Sequence, residues 1–108
     1  MSDLNQVMLL GRIAKEPELR TVKDKSICRL IVAVNRSHKQ DKADFFEVTV
    51  WNKSAENCKK YLEVGQQVLI DGYLEKQTWE KDGETKYKIA IIARSVQFLS
   101  KRKQEADV

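Results

Sequence analysis

The 108 residues include one histidine, one proline, two cysteines and four glycines, and each shortage removes a class of chemistry. Cys28 and Cys58 stand thirty residues apart, and His38 is the lone histidine. No Cys-x-x-Cys or paired-histidine spacing exists to hold zinc. In a reducing compartment two such thiols read as small buried hydrophobes, with a catalytic pairing of either one with His38 as the minor alternative. There is no Gly-rich phosphate loop, no Gly-x-Ser-x-Gly and no His-Glu-x-x-His. No carboxylate cluster has metal spacing either. No cofactor and no metal is therefore expected, and an enzyme is the minority reading. Apolar runs all fall well short of the ~18 residues of a membrane helix, and the start MSDLNQVMLL is too acidic, with too short an apolar part, for a secretory signal. A cytoplasmic location without a membrane partner is expected.

What is present is enough for one ordinary domain with a sizeable core: 42% of residues are apolar and 33% charged. Twenty Lys and Arg against sixteen Asp and Glu give a formal charge of +4 and a pI near 9.1. This mild basic excess suits a polyanionic partner without requiring one.

Strand-type alternation dominates the chain. The first run, NQVMLLGRI, is apolar on both faces, Val7 and Leu9 on one and Met8 and Leu10 on the other. Such a strand sits deep in a sheet or meets another subunit, and Gly11 suits a bulge or bend. A polar, lysine-rich passage with Pro17 follows and reads as a break. SICRLIVAVNR then places Cys28, Leu30, Val32 and Val34 on a core face. FFEVTVW places Phe46, Val48 and Val50 inward and Phe45, Glu47, Thr49 and Trp51 outward. NKSAENCKKYLEVG is the one good helix, with Ser54 as N-cap, Ala55, Cys58, Tyr61 and Leu62 as its apolar stripe, and Gly65 as terminator. QQVLIDGYLEKQTW and KYKIAIIARSVQF form a last hairpin around Asp82-Gly83, with Val68, Ile70, Gly72, Leu74, Tyr87, Ile89 and Ile91 on its inner face. Three strands, a helix and two strands make the pattern of an all-β, five-stranded Greek-key barrel, the OB-fold, with its helix between strands three and four. Another small barrel or a helix-capped sandwich fits the same periodicity.

Phe45, Trp51 and Trp79 are thus expected to point away from the core. Phe45 and Trp51 lie six residues apart on one strand face, about 20 Å at ~3.3 Å per residue, too far to pack on each other. Around them fall Arg29, Arg36, Lys39, Lys42, Lys53, Lys81, Lys86 and Lys88. Flat π-surfaces interleaved with cations are what single-stranded nucleic acid needs, since each unpaired base offers a face and each linkage a negative phosphate. The competing readings are a Trp79 lying over lysine methylenes, or aromatics that serve only as an interface.

From Asn5 to about Leu99 the chain resembles the bacterial single-stranded DNA-binding proteins, on the stretches NQVMLLGRIAKEPELR, VAVNRS, FFEVTVWNKSAENCKKYLEVGQQVLIDGYL and TWEKDGETKY. The resemblance implies an OB-fold over residues 1–99, a short charged end at 100–108, and a homotetramer, or a dimer, that wraps single-stranded DNA without sequence preference. DNA replication, recombination and repair are the implied settings, on the nucleoid. It implies stacking by Phe45, Trp51 and Trp79, with His38 at a fourth aromatic site, and phosphate contacts from Arg20 and Lys53. These two join the cations Arg29, Arg36, Lys39, Lys81, Lys86 and Lys88. It assigns the segment Gln6, Val7, Met8, Leu9 and Leu10 to the subunit interface. Glu47, Glu75 and Gln77 stand where well-known members carry arginine, which implies a thinner phosphate track. The acidic tail usual in the family is not in this sequence, so tail-dependent replication and repair partners are not expected. A primosomal protein of the PriB type and an OB-fold assembly module are the alternatives.

Overall fold

The computed structural model describes residues 3–38 and 41–99. Among them are six strands and one helix: β1 (Val7–Ile13), β2 (Glu18–Val22), β3 (Lys25–Asn35), β4 (Ala43–Trp51), α1 (Asn52–Tyr61), β5 (Gln67–Lys81) and β6 (Glu84–Phe98). Hydrogen-bonded neighbours run β1-β5-β6-β4-β3, and β1 also pairs with β3 at Arg12↔Ala33 and Ile13↔Val32, which closes the ring. All pairings are antiparallel except β4 with β6, where only Val48↔Ile91 and Thr49↔Ile92 meet. This is the OB-fold, its helix between the third and fourth strands of the ring.

The sixth strand is β2, which falls in the passage read as a polar break. It pairs with β3 from Glu18↔Arg29 to Val22↔Lys25, on the same edge of β3 that β1 meets further along. All five of its residues are exposed, so backbone pairing rather than burial makes it a strand, and apolar alternation has nothing to signal. Its turn is Lys23-Asp24, both at positive φ (50° and 66°), the two-residue geometry that hairpins favour, here without the usual Gly or Asn.

Inside the ring, Ile13, Cys28, Leu30, Val32, Val48, Val50, Val68 and Ile70 form one buried cluster with Ala55, Cys58 and Leu62 of the helix segment. All but Ile13, whose strand is apolar on both faces, are positions that the sequence pattern marks as inward. The helix begins earlier than expected: Trp51, not Ser54, is the N-cap, without a side-chain cap. It ends at Leu62, whose N–H donates to Cys58 O at 3.0 Å, and Tyr61 faces solvent. Lys59 and Lys60 lie in its last turn, where positive charge suits the helix dipole. Lys59 also donates to Glu16 at 3.4 Å and to Pro17 O at 3.1 Å, tying α1 to the β1–β2 connection.

A second departure concerns the last hairpin. Its register is the expected one, with Lys81↔Glu84, Glu80↔Thr85 and Trp79↔Lys86 around Asp82 (φ 54°) and Gly83 (φ 80°). The two strands outrun the barrel, however. Leu74, Tyr87 and Ile89, expected in the core, are exposed because no other strand lies beneath the distal arm. Of Leu74, Tyr87, Ile89 and Ile91, only Ile91 packs against the core cluster.

Two glycines make closure possible. A Cβ on Gly11 would run into the carbonyl oxygen of Ala33 and the Val32 side chain, and one on Gly72 would meet the Ile92 carbonyl oxygen. Gly72 adjoins a bulge in which Arg94 is the unpaired residue between Ala93 and Ser95. Gly11→Ala should therefore cost about 1–3 kcal/mol, the usual penalty for overpacking, and lower the urea midpoint at unchanged slope. A variant as stable as the parent would contradict the close β1–β3 crossing.

Candidate nucleic-acid interface

The outer face of the sheet is assembled by registry. Opposite the outward β4 residues Phe45, Glu47, Thr49 and Trp51 lie Ala33, Ile31, Arg29 and Ile27 of β3. Beyond these, β2 sets Glu18 beside Arg29 and Arg20 beside Ile27. On the other flank a trough lined by Glu47, Thr49, Gln77, Lys88, Ile89 and Ala90 joins β4 to the arm. Gln77 pairs with Lys88 and, two residues further out on the same face, Trp79 pairs with Lys86. The structure thus places Phe45, Trp51 and Trp79 on one continuous surface.

All three aromatic side chains are open: Phe45 is 64% exposed, Trp79 44% and Trp51 39%. Trp79 stands directly opposite Lys86 in the hairpin register, so its ring is partly covered while 44% of the residue stays open. The cation over a ring there is Lys76 above Tyr87, 4.5 Å from its centroid and on the opposite face. His38 is exposed just past β3, while Lys39 lies outside the described residues.

The cations divide into free and engaged. Among the described residues, no salt bridge involves Arg20, Lys53, Lys81 or Lys88, whereas Lys86 pairs with Glu84 at 3.1 Å. Arg36 grips Asp44 through Nε at 3.2 Å and Nη2 at 3.0 Å, which pushes its pKa up, first through the hydrogen bond and then through charge. Arg29 is held twice, Nη2 donating to Glu18 at 2.9 Å and Nη1 to Glu47 at 3.2 Å. The Arg29 hydrogen bond, followed by its charge and those of Lys15 and Arg20, holds the Glu18 carboxyl below the usual carboxylate range. Glu18 was out of reach of sequence reasoning, because its partnership with Arg29 depends on β2.

The depressions along this face measure about 180, 210 and 80 Å³. These are smaller than the roughly 300–1,000 Å³ of small-molecule sites and suit an elongated ligand lying across the surface. A larger hollow of about 610 Å³ between α1 and the end of β6 lies elsewhere, lined by Ser54, Asn57, Tyr61, Val96, Gln97 and Phe98. Gln6, just before β1, and Met8 and Leu10 on it face outward, Gln6 donating to Asp71 at 3.2 Å, while Val7 and Leu9 turn inward and are half-buried. Met8 and Leu10 lie in the open, and no helix among the described residues is long and apolar enough to cross a membrane.

Together these features define a class, a closed OB barrel with an open aromatic and cationic sheet face. Comparison with known proteins narrows it. The chain belongs to the single-strand binding protein family, whose profile matches residues 4–99. The single-stranded DNA-binding protein 2 of Streptococcus agalactiae serotype V is 40% identical over 107 residues, covering 94% of this chain and 82% of its own length. The single-stranded DNA-binding protein 1 of Clostridium acetobutylicum is 34% identical over 108 residues, covering 94% of this chain and 98% of its own. The single-stranded DNA-binding protein of Treponema pallidum is 35% identical over 105 residues; the match takes in 92% of this chain but 60% of that relative's length.

The cysteines are turned away from this face, into the core. Both are free and wholly buried, whereas His38 is at the surface. Burial pushes both thiols up, Cys58 to about 12 with a smaller contribution from Cys28. A nucleophilic thiol requires the reverse shift. Neither should react with Ellman's reagent at about pH 8 in the native protein, and both should react once guanidinium unfolds it. Rapid labelling of either in the native state would overturn their placement in the core.

Proposed function

We propose that the protein binds single-stranded DNA, without catalysis and without sequence preference, over a binding unit formed by residues 1–99. The observation that carries the reading is the exposure of Phe45, Trp51 and Trp79 on one outer surface among unpaired cations. Bases stack on the three rings, with His38 at the loop end as a fourth, weaker platform. Arg20, Lys53, Lys81 and Lys88 neutralise phosphates, and Lys86, Arg36 and Lys39 supplement them. A duplex hides its base faces, so stacking selects for unpaired strands. The roles that follow are protection of exposed strands and removal of their secondary structure in replication, recombination and repair.

The protein is further proposed to act as a homo-oligomer, a tetramer or a dimer, through the segment Gln6–Leu10. The open apolar side chains of Met8 and Leu10 on β1 support this, as do Leu74, Tyr87 and Ile89 on the underside of the arm. Such surfaces are ordinarily covered by a partner.

Base stacking is worth about 1–3 kcal/mol per ring by alanine substitution. Trp79→Ala should weaken binding to oligo-dT by that amount in a fluorescence titration and leave the thermal midpoint nearly unmoved. Normal binding by the variant, or a midpoint many degrees lower, would refute the stacking role. For the wild type, log K should fall linearly with log salt at about −0.7 per phosphate contact. Sedimentation at micromolar concentration should give a mass above that of one chain; a monomer would refute the assembly.

A further inference from the structure

A single strand that spans Phe45 and Trp51 must pass what lies between them on β4, namely Glu47 and Thr49. Glu47 lines all three depressions of the face, and Glu18 and Arg29 line the two nearest β2. The middle of the track is therefore occupied by one guanidinium with two carboxylates on it, at 2.9 and 3.2 Å. Around it, the linings of those two depressions hold Lys15, Arg20 and Arg29 against Glu16, Glu18 and Glu47, a balanced set rather than a basic one. This contrasts with Lys53, Lys81 and Lys88, which make no salt bridge among the described residues.

We propose that Glu18 and Glu47 act as a built-in competitor for the nucleic acid, occupying Arg29 as a phosphate would and so weakening the grip of the face on its strand. The idea rests on the reading above that this face binds single-stranded DNA. A carboxylate and a phosphate present the same acceptor geometry to an arginine fork. A strand approaching Arg29 must displace one or both glutamates and then lie beside the negative charges it has set free. The exchange is open to both partners. Arg29 and the two glutamates are each close to half-exposed, and ion pairs in that setting contribute little to stability. They neither hold the fold together nor lock Arg29 permanently. With the triad in place, phosphates favour the rim and the bases cross the middle of the sheet. The strand is held by its stacked rings and its edges, and it leaves faster than from an evenly basic track.

The experiment is a mutant cycle in oligo-dT binding, read by tryptophan fluorescence at several salt concentrations. Wild type is measured first, and failure to bind oligo-dT at low salt overturns the assigned function together with this proposal. Given binding, the double variant Glu18→Gln, Glu47→Gln should bind about tenfold more tightly, with a salt slope steeper by about 0.7 because Arg29 now neutralises one more phosphate. Adding Arg29→Ala to that background should abolish both the tighter binding and the steeper slope. Thermal midpoints of the variants should match the parent's, which confirms that the comparison is between folded proteins; the single variant Glu47→Gln, expected to show part of the effect, serves if the double does not fold. A double variant that binds no more tightly than wild type overturns the proposal while the assigned function stands. So does tighter binding that persists without Arg29, since general charge reduction would then account for it.

Discussion

Nine consecutive residue pairs lock β3 to β4, from Ile27↔Trp51 to Asn35↔Ala43, and the middle of the face the protein offers to a ligand depends on that register. Along β4 one face is Phe46, Val48 and Val50, the other Phe45, Glu47, Thr49 and Trp51. The period of a strand is two, so a slip of one residue would drive Glu47 inward and turn Val48 out. Core and binding face are two sides of the same alternation. The hydrophobic free energy of burying Val48 and Val50 is therefore what holds Phe45 and Trp51 in the open. Aromatic rings kept out of a core in this way cost stability only in the sense of apolar area left wet. That area is then available for a base.

Barrel closure depends on this lock in turn. β4 meets β6 at only two pairs, and β1 meets β3 at two more. Short pairings of this kind hold because long ones flank them and, at β1–β3, because Gly11 lets the backbones approach where a Cβ would collide; Gly72 does the same between β5 and β6. The buried Gln66 secures the end of the ring nearest the helix: its side chain donates to Leu99 O at 3.1 Å and accepts from Glu63 N–H at 3.2 Å, while its own carbonyl accepts from Ile13 N–H at 2.9 Å. One fully bonded polar residue in an apolar setting thus joins the termini of β1 and β6 to the turn before β5.

Electrostatics on the face are subtler than the net charge of +4 suggests. Half-exposed pairs such as Arg36–Asp44 and Lys86–Glu84 are individually weak, yet they determine which cations present unopposed charge. Among the described residues Arg20, Lys53, Lys81 and Lys88 form no salt bridge, though Arg20 shares the middle of the face with Glu18, while Arg29 is shared between two carboxylates. Stacking and charge are therefore distributed unevenly over the surface, rings at both ends of β4 and on the arm, cations mainly toward the rim.

Although β1, apolar on both faces, carried no sign of which face turns inward, the chain by itself already determined the all-β class, the inward residues of β3, β4 and the first half of β5, the helix position and the hairpin turn at Asp82-Gly83. Each of these has a local cause: alternation with period two, apolar spacing near 3.6, or a turn dipeptide with one preferred geometry. The outward direction of Phe45, Trp51 and Trp79 was legible for the same reason, since it is the complement of the core. Three things required the tertiary structure. β2 was hidden because it buries no side chain and turns at Lys23-Asp24, which carries no hairpin signature. The exposure of Leu74, Tyr87 and Ile89 was hidden because alternation records which face a residue takes, not whether anything lies against that face. The clasp of Glu18 and Glu47 on Arg29 was hidden because it joins three strands, and contact between residues eleven and eighteen positions apart is a property of how a sheet closes rather than of any window along the chain.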